Sequence, residues 1–184
     1  MSVPDHVPDY DADEQIVWQG KYVVAKTRGR WEYVGRTRQI RAAVILAVED
    51  GHILLVEQYR VPLGRNCLEL PAGLIGDDEG AEDEDDLAAA GRELEEETGY
   101  RADRLEDLGQ FWSSPGMVSE SFTLVRATGL IRIHDGGGTE SENITVHRVP
   151  LTKLADFVAA KRAEGCGIDV RLLLALGQNI LGGE

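Results

Sequence analysis

Apolar positions along the chain follow two periodicities, and the first predicts β-strands. Residues 41–60 contain two apolar runs on either side of Glu49-Asp50-Gly51, a pattern typical of a β-hairpin. Residues 16–37 predict a pair of strands around a Thr-Arg-Gly-Arg turn. Shorter apolar runs bounded by turn residues predict further strands at 66–75, 104–114, 121–127 and 143–151.

The second periodicity is helical. Apolar residues recur at helical spacing over residues 85–98, and Gly99 follows as a stop signal. Two more helices are predicted at 152–164, with Thr152 as the N-cap, and at 169–181. Because strands come first and helices interrupt them, we expect an α/β (α+β) fold in which a mixed β-sheet is sandwiched between helices.

Composition allows one well-buried domain and argues against several classes of protein. The chain has 184 residues, of which 42% are hydrophobic, and no apolar run approaches the ~20 residues that span a bilayer. The net charge of -14 argues against nucleic acid or an anionic membrane as the main partner, since both need a basic surface. An anionic small substrate requires local cations or arginines.

The N-terminal residues and the cysteines predict a cytoplasmic protein. Residues 1–15 are acidic and proline-bearing, without the features of a signal peptide, and we expect a disordered lead-in there. Cys67 and Cys166 are far apart in the sequence and in no metal-ligand spacing, so a disulfide framework is not expected.

The predicted helix at 85–98 carries a cluster of carboxylates on one face. Glu93 and Glu97 are four residues apart and Glu96 is adjacent, whereas Glu95 points to the opposite, solvated side. Like charges at this spacing repel, so the face either meets bulk water or holds a divalent cation. Arg92 opens the cluster and can clamp a carboxylate. Oxygen-only ligands of this kind suit Mg²⁺, with Mn²⁺ as the alternative.

Residues 92–100, REUxEExGU with U a bulky apolar residue, resemble the signature of the Nudix hydrolases at every fixed position. The resemblance implies a Nudix fold. Upstream, the family spacing from Gly73 reaches Glu79, whereas the spacing counted back from Arg92 reaches Glu84. The chain therefore carries about five extra residues within the acidic stretch 77–86, and we favour Glu84 as the glutamate of the motif.

The resemblance also implies a metal site and a catalytic set. Glu93, Glu96 and Glu97, with the carbonyl oxygen of Ala72 in the Pro-Ala-Gly bend, are expected to hold two or three Mg²⁺ ions. Arg92 and Glu97 belong to the expected catalytic set. A loop glutamate is expected to handle the attacking water. Glu142 is the candidate for that glutamate, and Glu140 is its competitor.

Residues 15–180 are similar to the ADP-sugar diphosphatase (ADP-ribose pyrophosphatase) branch of this family, most clearly in VEQYRVPLGRNCLELPAGLI. By this resemblance Tyr22 and Trp31 sandwich the adenine, and Glu32 accepts a hydrogen bond from its amine. Arg36 and Arg60 match positions that contact the diphosphate. The planar guanidinium suits that role because it donates two parallel hydrogen bonds to phosphate oxygens.

In this branch the two stacking residues come from different subunits of an exchanged dimer, so a homodimer is expected. Residues 16–42 would form the dimer and base-binding strands, and residues 43–184 the hydrolase domain. The implied reaction converts ADP-ribose to AMP and ribose 5-phosphate. The alternatives are GDP-mannose, UDP-sugars and dinucleoside polyphosphates as substrates, and a nucleotide-sugar sensor that does not hydrolyse its ligand.

Overall fold

The computed structural model describes residues 7–37, 40–76, 84–139 and 142–177. The strands, in chain order, are β1 (Glu14–Gln19), β2 (Val23–Arg28), β3 (Trp31–Arg36), β4 (Arg41–Glu49), β5 (His52–Arg60), β6 (Arg65–Glu69), β7 (Ala72–Ile75), β8 (Tyr100–Trp112), β9 (Ser121–Arg132), β10 (Thr145–Pro150) and β11 (Gly167–Ile168). The helices are α1 (Asp86–Thr98), α2 (Leu154–Ala163) and α3 (Leu172–Leu176).

The main sheet is mixed, as the sequence predicts. Its order is β11-β6-β5-β4-β9-β8, with β10 beside β5 and β7 beside β4. β4 runs antiparallel to β5 and β7 but parallel to β9, and β11 runs parallel to β6. This arrangement joins the end of β6 to the C-terminal segment on one side and to β5 on the other.

Both faces of the sheet are covered by helices, which confirms the predicted layers. β4 alternates strictly: Ala43, Ile45 and Ala47 face α1, whereas Val44 and Leu46 face α2 and α3. All five side chains are buried. Because a central strand buried on both faces reads as a continuous apolar run, the sequence signal for this strand was strong.

The N-terminal residues form a separate sheet in the order β1-β2-β3. The prediction of two strands around the Thr-Arg-Gly-Arg turn is right for β2 and β3 but misses β1, which begins inside the predicted lead-in. The chain turns at Gly20, whose N–H donates to the carbonyl of Val23. A Cβ at Gly20 would meet the Trp18 ring, so the turn packs closely against this side chain.

Three other predicted elements differ in detail. Residues 66–75 give two strands, β6 and β7. Thr152 is not an N-cap, because a 3-10 turn over Leu151–Lys153 precedes α2, and Lys153 occupies the cap position without a side-chain hydrogen bond. In the helix predicted at 169–181, α3 covers Leu172–Leu176, and residues 178–184 lie outside the described ranges.

Among the described residues, no helix is long and apolar enough to cross a membrane.

Candidate active site

Helix α1 presents its carboxylates because both of its ends are fixed. The Asp85 side chain accepts hydrogen bonds from the N–H groups of Leu87 and Ala88, at 3.1 and 3.0 Å. At the other end Gly99 adopts a left-handed conformation (φ 77°) and its N–H bonds the carbonyl of Glu95. The predicted stop is confirmed, and the helical phase of the glutamates is thereby set.

One groove of about 770 Å³ gathers the predicted metal and diphosphate residues. It lies between β5, β6, β7, α1 and the loops that follow β8 and β9. The eight predicted residues that line it are Arg36, Arg60, Ala72, Arg92, Glu93, Glu96, Glu97 and Glu142. The fold therefore brings together positions that are up to 106 residues apart, while their roles stay predictions.

Glu97 is the most deeply buried carboxylate of the helix. Only 3% of its surface is exposed, and its Oε2 accepts a hydrogen bond of 2.9 Å from the N–H of Ala72. Burial raises the pKa of Glu97 to about 8, and the nearby charges of Glu93 and Glu142 act in the same direction, against the Ala72 hydrogen bond and Arg60. Ionised Glu97 thus needs positive charge close to it.

Arg92 does clamp carboxylates, as predicted. Its Nη1 donates to Glu93 at 2.8 Å, and its Nε and Nη2 donate to Glu84 at 3.4 and 3.3 Å. Glu84 precedes the N-cap of α1, so it reaches Arg92 from outside the helix. The competing Glu79 lies outside the described residues.

Gly73 makes room for Glu93. A Cβ at Gly73 would overlap the Glu93 carboxyl group, so the side chain of Glu93 lies directly against the backbone of β7. Glu95 lies outside the groove, as predicted, but it is half-buried rather than freely solvated, and it forms a two-point ion pair with Arg101.

The loop after β9 brings Glu142 to the groove. Its backbone is fastened to the end of α1, where the N–H groups of Gly137 and Gly138 donate to the carbonyls of Glu97 and Glu96. The Glu142 carboxylate accepts hydrogen bonds from the N–H and hydroxyl groups of Thr139, at 2.8 and 3.0 Å. Glu140, the competing candidate, lies outside the described residues.

The two arginines predicted to contact the diphosphate, Arg36 and Arg60, each have a carboxylate partner. Arg36 donates through Nε to Glu120 at 2.5 Å. Arg60 donates through Nε and Nη2 to the two carboxylate oxygens of Glu69, at 2.6 and 2.8 Å. The Glu69 hydrogen bond raises the pKa of Arg60, so this guanidinium stays charged.

Four further charged residues line the groove and were not predicted from the sequence: Glu69, Glu120, Asp169 and Arg171. For Glu69 a signal exists. It stands between two leucines in a predicted strand, and a carboxylate in an apolar strand needs a buried cationic partner. For Arg171 no local signal exists, because its place depends on how β11 pairs with β6.

The chemistry of the groove fits a divalent cation held by carboxylates. Among its described lining residues, seven carboxylates face four arginines, which leaves a formal excess of three negative charges. Within the described ranges, no three acidic, histidine or cysteine side chains converge as a preformed metal cage. Glu93 and Glu142 are instead turned to Arg92 and Thr139. Hard oxygen donors around a buried carboxylate suit Mg²⁺ or Mn²⁺ once they converge.

The predicted base-binding residues lie away from this groove. Trp31 is 55% exposed and lines a second cavity of about 410 Å³, together with Tyr33 and Pro115. Tyr22 precedes β2, whereas Trp31 pairs with the other end of that strand, so the backbone positions of the two residues are roughly 20 Å apart along the hairpin. Within one chain Tyr22 and Trp31 therefore cannot sandwich a base.

Glu32 does not line the Trp31 cavity. Side chains alternate along β3, so Glu32 points to the sheet face opposite Trp31 and Tyr33. The carboxylate that does line the cavity is that of Glu14, a residue with no predicted role. It accepts hydrogen bonds from Tyr33 and Lys26, at 2.5 and 2.8 Å.

The sequence has relatives among known proteins. A sequence model of the NUDIX domain matches residues 37–165. The chain is similar to a methanol dehydrogenase activator of Bacillus methanolicus, with 36% identity over 65% of this chain and 63% of that protein. It is also similar to an ADP-ribose pyrophosphatase of Mycobacterium tuberculosis, with 42% identity over 62% of this chain and 54% of that protein. The chain thus spans less than two thirds of either relative.

The fold has a solved counterpart as well. A crystal structure of an ADP compounds hydrolase matches 80% of each chain, with a TM-score of 0.62 and 24% identity.

Proposed function

The chain belongs to the NUDIX family of hydrolases, and we propose that it hydrolyses the diphosphate of a nucleoside diphosphate sugar, with ADP-ribose giving AMP and ribose 5-phosphate. One observation carries the proposal: three glutamates of α1, together with Glu142 and the arginines Arg36 and Arg60, line one groove. The three are Glu93, Glu96 and Glu97. Carboxylates alone would repel this substrate, and arginines alone would bind it without activating water.

Each residue has a defined task in this proposal. Arg36 and Arg60 bind the diphosphate oxygens through the guanidinium edges that their carboxylate partners leave open. Arg92 orients Glu93, and the N–H of Ala72 orients Glu97. Glu142 orients the attacking water or takes its proton after leaving Thr139.

Glu93, Glu96 and Glu97, with the carbonyl of Ala72, would hold the divalent ions. Bound Mg²⁺, or Mn²⁺, supplies the positive charge that offsets the groove carboxylates and polarises the phosphoryl group. The raised pKa of Glu97 supports this assignment, because a carboxylate that resists ionisation without a cation is stabilised by one.

The adenine would lie in the Trp31 cavity and stack on that ring. Tyr22 reaches this base only from a second copy of the chain, which supports a homodimer as part of the proposal. Size measurement in solution, by sedimentation, tests this part separately from catalysis.

The proposal is tested by measuring Mg²⁺-dependent turnover of ADP-ribose, GDP-mannose and UDP-glucose at equal concentration. We expect ADP-ribose to be preferred and AMP to appear as a product. A preference for the guanine or uracil compound contradicts the assignment of the Trp31 cavity to adenine. Tight ADP-ribose binding without turnover would instead favour the alternative function, a nucleotide-sugar sensor that does not hydrolyse its ligand.

A further inference from the structure

We propose that the C-terminal segment positions the diphosphate-binding guanidinium: Arg171, held by Asp169, fixes Glu69, and Glu69 fixes Arg60. Arg171 and Glu69 are positioning residues in this arrangement. The proposal rests on the proposed function for the role of Arg60. It adds a requirement for residues that lie beyond the stretch 37–165 matched by the family model.

The first step is the way the C-terminal segment is attached. β11 pairs in parallel with β6, with Gly167 opposite Cys67 and Ile168 opposite Leu68. The next N–H, that of Asp169, donates to the carbonyl of Leu68 at 3.0 Å. This register brings residues 169–171 beside Glu69, although about 100 residues separate them in the chain.

The second step is the local geometry of Arg171. Asp169 Oδ1 accepts hydrogen bonds from the N–H and Nε of Arg171, both at 2.7 Å, and Oδ2 accepts from Nη2 at 2.7 Å. The guanidinium also lies over the Phe122 ring, 5.9 Å from its centroid. The backbone, the carboxylate and the ring thus restrict Arg171 to one orientation.

The third step is the carboxylate that the two arginines share. Glu69 is 2% exposed, and its Oε2 accepts from Arg171 Nη2 at 3.2 Å and from Arg60 Nη2 at 2.8 Å. A buried carboxylate is costly unless its lone pairs are filled, so both arginines stabilise it in one rotamer. Removing Arg171 leaves Glu69 less restrained and leaves Asp169 without its partner.

The last step is the orientation that Glu69 gives to the guanidinium of Arg60. Glu69 takes Nε and Nη2, and Nη1 makes no hydrogen bond within the described part of the chain. The guanidinium, with 40% of its side chain exposed, therefore presents one defined edge to the groove. A ligand that meets a fixed edge does not have to order the arginine when it binds.

The experiment is a double-mutant cycle with Arg171→Met and Arg60→Met, assayed with Mg²⁺ and ADP-ribose. Arg171→Met should raise KM about tenfold with kcat nearly unchanged, because Arg60 binds ground state and transition state alike. In the Arg60→Met background, the same change should alter KM less than twofold. Arg171→Lys keeps the charge but not the two-point pair with Asp169, and should fall between.

Arg101→Met is the matched control, since Arg101 also forms a two-point ion pair, with Glu95, but away from the groove. It should leave KM unchanged. The proposal is overturned if Arg171→Met has the same effect on KM in both backgrounds, or lowers only the melting temperature. Calorimetric titration with magnesium pyrophosphate gives the same cycle without hydrolysis. A chain that fails to cleave ADP-ribose but shows the Arg60-dependent loss of pyrophosphate binding refutes the proposed function alone.

Discussion

Replacing Glu97 by glutamine should change how the stability of the metal-free protein depends on pH. The pKa of Glu97 rises from its ordinary value of 4.5 to about 8 in the folded protein, first because of burial. Between these values the folded state keeps a proton that the unfolded state has lost, so stability falls as pH rises. The shift corresponds to between about 3 and 6 kcal/mol, because each pH unit is worth about 1.36 kcal/mol.

The assay is urea unfolding in EDTA at pH 5 and pH 9. Wild-type protein should lose several kcal/mol more than Glu97→Gln over this interval, since the glutamine is uncharged at both values. Glu95→Gln, outside the groove, should follow the wild type over this interval. Adding Mg²⁺ at pH 9 should restore the wild type but not Glu97→Gln. Turnover by Glu97→Gln should fall by orders of magnitude.

Parallel pH profiles for wild type and Glu97→Gln would refute the argument from burial. Near-normal Mg²⁺-dependent turnover by the same variant would refute the metal assignment separately. The two results are independent because one is measured without metal and without substrate.

Three further changes have defined outcomes. Gly73→Ala should displace the Glu93 carboxyl and abolish most Mg²⁺-dependent turnover in a folded protein, as circular dichroism would verify; Gly177→Ala, which meets only ordinary contacts, should not. Trp31→Ala should raise the KM for ADP-ribose roughly tenfold, since base stacking is worth about 1–3 kcal/mol. An unchanged KM would place the base elsewhere. Although burial opposes it, hydrogen bonds led by that of Lys161 lower the pKa of Glu57 to about 2. Glu57→Gln should therefore cost roughly 3 kcal/mol at pH 7, and urea unfolding should show this cost shrinking as pH falls from 4.5 towards 2.

The sequence predicted those parts of the site whose geometry is local. Helical phase places Glu93 and Glu97 on one face, and the stop at Gly99 is predicted from residue type. The N-cap at Asp85 was not predicted, because the sequence pattern places this residue first in the helix. The hairpin of β4 and β5 was also predictable from the sequence, because β4 is buried on both faces and is therefore a continuous apolar run. None of these features needs knowledge of which distant segment lies alongside.

The features that sequence reasoning missed depend on long-range pairing. Arg171 reaches Glu69 only because β11 adds to β6 in a particular register, and a short strand of two residues carries no periodicity that would reveal it. Glu120 and Glu14 likewise depend on partners in other segments. Glu120 accepts a hydrogen bond from Arg36, and Glu14 accepts one from Tyr33. An arginine in the sequence shows that a positive charge is present, but it does not show which carboxylate pairs with that arginine in the fold.

The same pairing reconciles a chain of net charge -14 with an anionic substrate. Arg36, Arg60, Arg92 and Arg171 each meet a carboxylate of the groove or its rim, so none contributes a full uncompensated charge. The value of Arg36 and Arg60 to a diphosphate is directional, because the carboxylate partner of each fixes one guanidinium edge and leaves another open. The excess of three negative charges then remains for divalent ions to offset. One ion leaves the groove negative and two make it positive, so orientation by arginine and attraction by metal are separate tasks of the same groove.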